Sequence, residues 1–386
     1  MTARRARQSV REKLHEEGRT ARIGIIGAGF WAASFYLPFL RDLPGVEIVG
    51  VVRRDPDALR ALRNSFPMEI ATSDVDELLA RGCEGVIVAS PHTRHREHAE
   101  AALRAGAHVL IEKPMTVTPE DAQAVAQTAA TEGRVVSLAY GWNYSPIGVW
   151  AADVADSGVL GELRSVSGHM ASALVRMFSG EGGYGVVTLD GYDFEASPDT
   201  WARPGAGGGY LYGQLSHQLG LALNLVGSDP EVVYAQMGLL PNGVDIDVAV
   251  TVRFAGGVIG SFTGHGRLPW GTRYPFELRV AGTRGVMTLD FERERADVNL
   301  VDGANADAAG GRDAFKRTER DLWLEVADGD GIYTCRGPAQ FLVDLCNGQD
   351  PIDRAPVQTG VRAVAIMDAA LRSARLRRPV QLAAAA

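Results

Sequence analysis

Glu112, Lys113 and Pro114 follow a short apolar run, Val109-Leu110-Ile111, and a glycine-rich turn, Gly27-Ala28-Gly29, follows another, Arg22-Ile23-Gly24-Ile25-Ile26. A lysine at the carboxyl end of a strand can stabilise a developing alkoxide by charge and hydrogen bonding. A passage from strand through glycine turn to helix can cradle a pyrophosphate. Gly27 permits the tight turn, Gly29 lets backbone approach the phosphates, and the helix N-terminus favours their charge. Phe30 and Trp31 come next, and Ala32 stands where the fingerprint's third glycine would be. Such a turn can also do no more than join strand to helix. The strand ending on Lys113 argues for more, because open parallel sheets hold ligands outside the carboxyl ends of their strands. Together the two runs predict hydride chemistry on a nicotinamide cofactor held by Gly27, Gly29, Phe30, Trp31, Glu112 and Lys113.

The strand Val46 to Val52 leads into Arg53-Arg54, where an acidic residue commonly reads the ribose 2′-hydroxyl. A carboxylate would repel a 2′-phosphate, whereas paired guanidiniums grip it with charge-assisted hydrogen bonds. NADP is the expected cofactor, with NAD possible; two solvated arginines beside Asp55 and Asp57 are the alternative. Ser90, Pro91, His92 and His95 follow the strand Gly85 to Ala89 and are expected to line the cofactor cleft. His92, His95 and His98 are spaced three apart, but they straddle a strand end and a helix, and Arg94 and Arg96 add positive potential. No metal is expected there, and His98 reads as a helix-surface residue.

Gly207-Gly208-Gly209 opens a helical stretch on which Tyr210, Gly213, Gln214 and His217 fall near one face. A lone helix histidine is by default a satisfied polar residue, and spacing alone does not decide otherwise. Residues 176–209 read as a long loop carrying Phe178, Tyr184, Tyr192, Phe194 and Trp201 among acidic residues. Loops of that length are usually functional or disordered. Aromatic faces such as Trp201 would suit a polyol, or the segment is an arm against a neighbouring subunit.

The elements that must position these residues are legible in outline. From Arg22 to Tyr140, strands at 22–26, 46–52, 85–89, 109–111 and 135–139 alternate with helical segments, a right-handed βαβ pattern that predicts a parallel Rossmann sheet. Beyond Gly141, one helix at 146–157 precedes longer β-rich stretches, giving an α+β domain with an open, mainly antiparallel sheet. The expected organisation is an N-terminal extension at 1–20, a Rossmann domain at 21–141 and a substrate-binding and oligomerisation domain at 142–386. The C-terminal helix is expected to pack back on the first domain, and the tail after Arg378 to fray.

At 386 residues the chain exceeds a single core. A formal net charge of −8 gives no electrostatic footprint for nucleic acid, and no apolar run reaches the length of a membrane span. Three cysteines without paired spacing, Cys83, Cys335 and Cys346, suit a reducing compartment, the cytoplasm.

The glycine turn, Ser90-Pro91-His92-Thr93-Arg94-His95, the run Ala105 to Pro114 and Gly207 to His217 occur in the order found in the Gfo/Idh/MocA family, which this chain resembles from Arg22 to Val380. The resemblance implies a bound NAD or NADP, assembly into homodimers or homotetramers through the second domain's sheet, and a sugar, glycoside or cyclitol substrate oxidised at a secondary alcohol, or formed by reducing the ketone. It implies that Lys113 contacts the reacting oxygen and His217 passes the proton. The family's usual aspartates four residues before and three after that histidine are here Gly213 and Gly220. Proton transfer then rests on Lys113 and His217, with Tyr144, Tyr212 or Gln214 supplying or orienting a proton. A glycosidase that oxidises its substrate transiently and a cofactor-sensing regulator are the competing functions.

Overall fold

The computed structural model describes residues 20–182, 185–196, 198–301, 322–325 and 335–382. The basic extension expected at 1–20 lies almost wholly outside the described residues, as does Tyr184. Two compact units divide the chain. Of the described residues, the first takes 20–141, 185–196 and 335–358, and the second takes the rest.

The first unit is built on six parallel strands in the order β3-β2-β1-β4-β5-β6, formed by Ala21–Ile26, Val46–Val52, Ile70–Thr72, Gly85–Val88, His108–Ile111 and Val136–Leu138. Five of these match the apolar runs read from sequence. The edge strand β3 has only three residues, too few to display a period. β1, β4 and β5 are almost continuously buried, as a sheet covered on both faces requires. The order reverses between β1 and β4, so the glycine turn after β1 and the segment after β4 open at the switch point where such sheets bind ligands. A returning segment completes the unit: the helix Arg336–Cys346 packs on β1, β4 and β5, and Leu138 N donates to Ala355 O at 2.9 Å. Nearly all of the final helix, Val357–Leu376, falls in the second unit.

In the second unit, β7 (Leu163–Ala171) lies near the middle of a nine-stranded sheet. β10 to β15 follow as Pro230–Leu239, Asp245–Phe254, Ile259–His265, Phe276–Gly282, Gly285–Asp290 and Arg295–Leu300, with β16 at Leu322–Glu325 and β17 at Val380–Gln381. Every neighbouring pair is antiparallel except β7 with β12. β17 pairs with β10, so the tail that reads as frayed supplies an edge strand at 380–381. Burial alternates along β11 and β12, with Phe254 and Phe262 buried on one face and Thr251, Arg253 and Ser261 exposed on the other. The helices Pro146–Asp156 and Ser216–Val226 pack together, and Ser216–Val226 also packs against β7.

Residues 176–209 are not a structureless loop. They hold most of a short helix, Val175–Ser179, a hairpin of β8 (Val186–Leu189) and β9 (Tyr192–Glu195), and a further turn of helix, Pro198–Trp201. Asp190 and Gly191 at its tip both have positive φ, 46° and 74°, the backbone that a two-residue type I′ turn requires. An Asp-Gly pair signals such a turn from sequence.

Candidate active site

In the first unit the glycine turn is fixed from two sides. Gly27 and Ala28 N–H groups both donate to Val52 O at 3.0 Å, tying the turn to the end of β2. Gly27 has φ 94°, and a β-carbon there would collide with the backbone of Ala89 and Ser90, so only glycine lets the ends of β1 and β4 approach. A π-helical turn, Ala32–Tyr36, follows, a local widening often found at functional sites. At its start Trp31 and Phe35 stack at 5.2 Å, and Phe30 meets Trp31 edge-on at 5.5 Å.

Lys113 is buried at the end of β5, its Nζ 6.0 Å from the centre of the Trp31 ring. Burial holds its pKa below the ordinary lysine range, opposed by the Glu112 carboxylate and by the nearby Cys335 thiol. Glu112 is buried too and pushed upward by desolvation. Its carboxylate accepts the Tyr36 hydroxyl at 2.6 Å and the Lys113 N–H at 3.1 Å. The Lys113-Pro114 peptide is cis. Sequence reading missed Tyr36 and Cys335, since neither stands in a motif.

The histidines divide as their chemistry predicts, but not as their spacing did. His95 is fully buried rather than lining a cleft: Nδ1 lies 2.9 Å from Pro114 O and Nε2 2.7 Å from Ser90 O, bracing the end of β4 against the segment after Lys113. Burial pulls its pKa down to about 4, so at neutral pH the ring is neutral and donates to one of the two carbonyls. His98, expected on the surface, is also buried, with Nδ1 2.8 Å from Ser90 Oγ. His92 is buried beside His95. Among the described residues there is no cluster of three or more His, Cys, Asp or Glu side chains arranged for a metal.

Arg53 reaches back over the turn, and its Nη1 donates to Ala28 O at 3.1 Å. Arg54 is exposed. Asp55 accepts the Asp57 and Ala58 N–H groups at the start of the helix Pro56–Ser65, and these bonds hold its pKa low. The acidic group nearest the ribose-reading position is thus committed to its own helix.

The second unit carries the other candidates. Tyr212 and Gln214 lie on a π-helical turn, Leu211–Leu215, that continues into the helix bearing His217. Gln214 is half-buried, whereas Tyr212 and His217 are buried, and burial raises the Tyr212 pKa. Asp245, which no local pattern singles out, sits on β11 and caps this run. Its Oδ2 accepts Leu211 N–H at 2.6 Å, and its carboxylate fills the space that a side chain at Gly209 would take. Desolvation lifts its pKa to about 6. Tyr144 is half-buried at the end of a single 3₁₀ turn, Gly141–Tyr144. Trp201 is buried against Phe178, with the two rings edge-on at 6.3 Å.

Two sequence profiles of one family, an oxidoreductase family with an NAD-binding Rossmann fold and its C-terminal domain, match residues 21–140 and 149–288, together more than half of the chain. The chain belongs to the Gfo/Idh/MocA family. A relative in that comparison, the 1-carboxy-3-chloro-3,4-dihydroxycyclohexa-1,5-diene dehydrogenase of Comamonas testosteroni, is 33% identical over 51% of this chain and 45% of its own length. The D-glucoside 3-dehydrogenase of Escherichia coli is 30% identical over 43% of this chain and 46% of its own. The chain thus spans about half the length of these relatives. The crystal structure of GenD2 from gentamicin A biosynthesis in complex with NAD is similar over 95% of this chain and 97% of that one, at 25% identity and a TM-score of 0.71.

The departure from the Gfo/Idh/MocA pattern at Gly213 has a physical cause. A β-carbon at Gly213 would lie 2.9 Å from Phe178 and 3.1 Å from Trp201, so two aromatic rings fill the position where the family's aspartate would begin. Gly220 offers its carbonyl to Asn143 Nδ2 at 3.2 Å inside the same buried helix.

Proposed function

We propose that this chain is an NADP-dependent oxidoreductase that acts on a secondary alcohol of a sugar, glycoside or cyclitol, or on the matching ketone, with Lys113 and His217 as its proton-handling pair. The observation that carries this reading is the buried Lys113 at the end of β5, on the same sheet edge as a glycine turn that only glycine can form. The residues fit a dinucleotide. Gly27 allows the tight turn beside Ser90, the Arg53 guanidinium stands over Gly29 where a phosphate would come, and Arg53 with Arg54 offers guanidinium where NAD enzymes commonly offer a carboxylate. NAD is the alternative that GenD2's bound cofactor favours.

The nicotinamide, when bound, supplies hydride exchange, and this chain's residues manage the accompanying proton. Lys113 donates a hydrogen bond to the substrate oxygen and stabilises it as it becomes an alkoxide, and burial holds its pKa below the ordinary lysine range. His217 relays the proton, with Gln214, Tyr144 or Tyr212 orienting it, because positions 213 and 220 hold no carboxylate. Trp201 acts in substrate binding through the wall it forms with Phe178. One face of the second unit's sheet, exposed at alternate residues, suits assembly into a dimer or tetramer. The cytoplasm suits the three buried free cysteines.

Incubation with NADP⁺ or NAD⁺ and a panel of glycosides and cyclitols tests the activity. A dehydrogenase forms one reduced cofactor per oxidised product. Product with no net reduced cofactor would mean the glycosidase reaction, and cofactor binding without any product would mean a sensor.

A further inference from the structure

The hairpin β8–β9 belongs to the first unit, and it is built around Arg53. Its tip is tied down by Asn64 Nδ2, which donates to Asp190 Oδ2 at 2.7 Å. Tyr192 donates its hydroxyl to Asp55 Oδ2 at 2.8 Å, and Gly185 rests against the Phe30 ring. Tyr192 and Phe194 meet edge-on at 4.8 Å, and both rings face one guanidinium: Arg53 Cζ is 5.2 Å from the centre of Phe194 and 5.9 Å from that of Tyr192. Phe194 is completely buried in this arrangement.

A free arginine side chain loses rotamer freedom when it is fixed. Here the aromatic faces and the bond to Ala28 O hold it before any ligand arrives, with Nη1 close over Gly29. Arg53 Nε is buried and meets no acceptor among the described residues, which leaves a donor for an anionic ligand. Tyr192 has a second effect. With Tyr192 on Oδ2 and the helix start on Oδ1, both oxygens of the Asp55 carboxylate already accept hydrogen bonds from the protein, which ties the hairpin to the segment that carries Arg53.

We propose that the hairpin is a cofactor-specificity element, in which Tyr192 and Phe194 position the Arg53 guanidinium for the 2′-phosphate of a phosphorylated dinucleotide. This rests on the reading of Arg53 as the 2′-phosphate ligand. Tyr192 and Phe194 are positioning residues, since they act through Arg53.

The test measures dissociation constants of NADPH and NADH by quenching of protein fluorescence, in the full chain and in Phe194→Leu, Tyr192→Phe, Arg53→Met and the Phe194→Leu/Arg53→Met double variant. Removing a desolvated cation–π contact should weaken NADPH by roughly 3- to 10-fold and leave NADH within about twofold. Tyr192→Phe keeps the ring and frees Asp55, and should lower the NADPH preference by about two- to threefold. With Arg53 already replaced, Phe194→Leu should leave the ratio of the two constants unchanged. Equal losses for both cofactors, an unchanged ratio in Phe194→Leu and Tyr192→Phe, or tighter binding of both would overturn the proposal. Should Phe194→Leu fail to fold, Tyr192→Phe decides alone. If Arg53→Met itself leaves the ratio at the wild-type value, the assignment of Arg53 to the 2′-phosphate fails, and that result is distinct from a hairpin without influence on a ratio that Arg53 does set.

Discussion

The end of β5 and the helix bearing His217 each bury polar groups, but by different means. At the end of β5 a carboxyl group and an amine, Glu112 and Lys113, are buried side by side, and the Glu112 carboxylate is held by short bonds from the Tyr36 hydroxyl and a backbone N–H. Around His217 the carboxylates that the family pattern would supply are absent, and at Gly213 two aromatic rings occupy the place. The first region offsets burial by hydrogen bonds to its carboxylate. The second relies on packing at Gly213, and the buried acid Asp245 serves the start of the helix.

Restoring the aspartate should break this contrast most severely. Gly213→Asp forces a side chain into Phe178 and Trp201 and buries an unpaired carboxylate, so stability measured by urea unfolding should fall by about 3 kcal/mol or more. Trp201→Ala in the same chain should recover part of that loss by making room. A Gly213→Asp protein of wild-type stability would mean that the rings do not occupy the position as described.

The two regions should also respond to acid in opposite senses. His95 has a folded pKa near 4, below its unfolded value of about 6.5, so the unfolded chain binds more protons in that window and stability drops as pH falls through it. Asp245 has a folded pKa near 6, above its unfolded value, so its contribution rises as pH falls from about 6 to 4. Each effect amounts to at most about 3 kcal/mol, and in the wild type they largely offset. His95→Gln should lose less stability on acidification than the wild type, and Asp245→Asn should lose more. Parallel pH–stability curves for the two variants would contradict both assignments.

The smallest effect concerns Tyr36. Tyr36→Phe removes one donor from a buried carboxylate, which should cost about 1 to 3 kcal/mol and raise the Glu112 pKa further. Unchanged stability in thermal unfolding would show that the bond contributes nothing.

Much of the first unit was legible because its determinants are local. Gly27, Lys113 and the βαβ strands each announce themselves within a few residues, through a required φ or an apolar run. What stayed hidden depends on partners far apart in the chain. Tyr36 finds Glu112, Asp245 finds Leu211, and Phe194 finds Arg53 across separations that no periodicity records. The burial of His98 and the membership of Val357–Leu376 in the second unit are of the same kind. The hairpin is different: Asp190-Gly191 between alternating apolar residues is a local signal, masked by the expectation of a loop.

The central claim is that Lys113 and His217 work as one unit without a supporting carboxylate, and single-turnover reduction of the bound cofactor by a substrate found in the panel tests it most directly. Lys113→Met and His217→Ala should each slow the reaction by roughly 10² to 10⁴ while dinucleotide binding survives, and the double variant should be little slower than either. A near-wild-type rate in His217→Ala would move the proton to Tyr144 or Tyr212, and a near-wild-type rate in Lys113→Met would contradict the site itself.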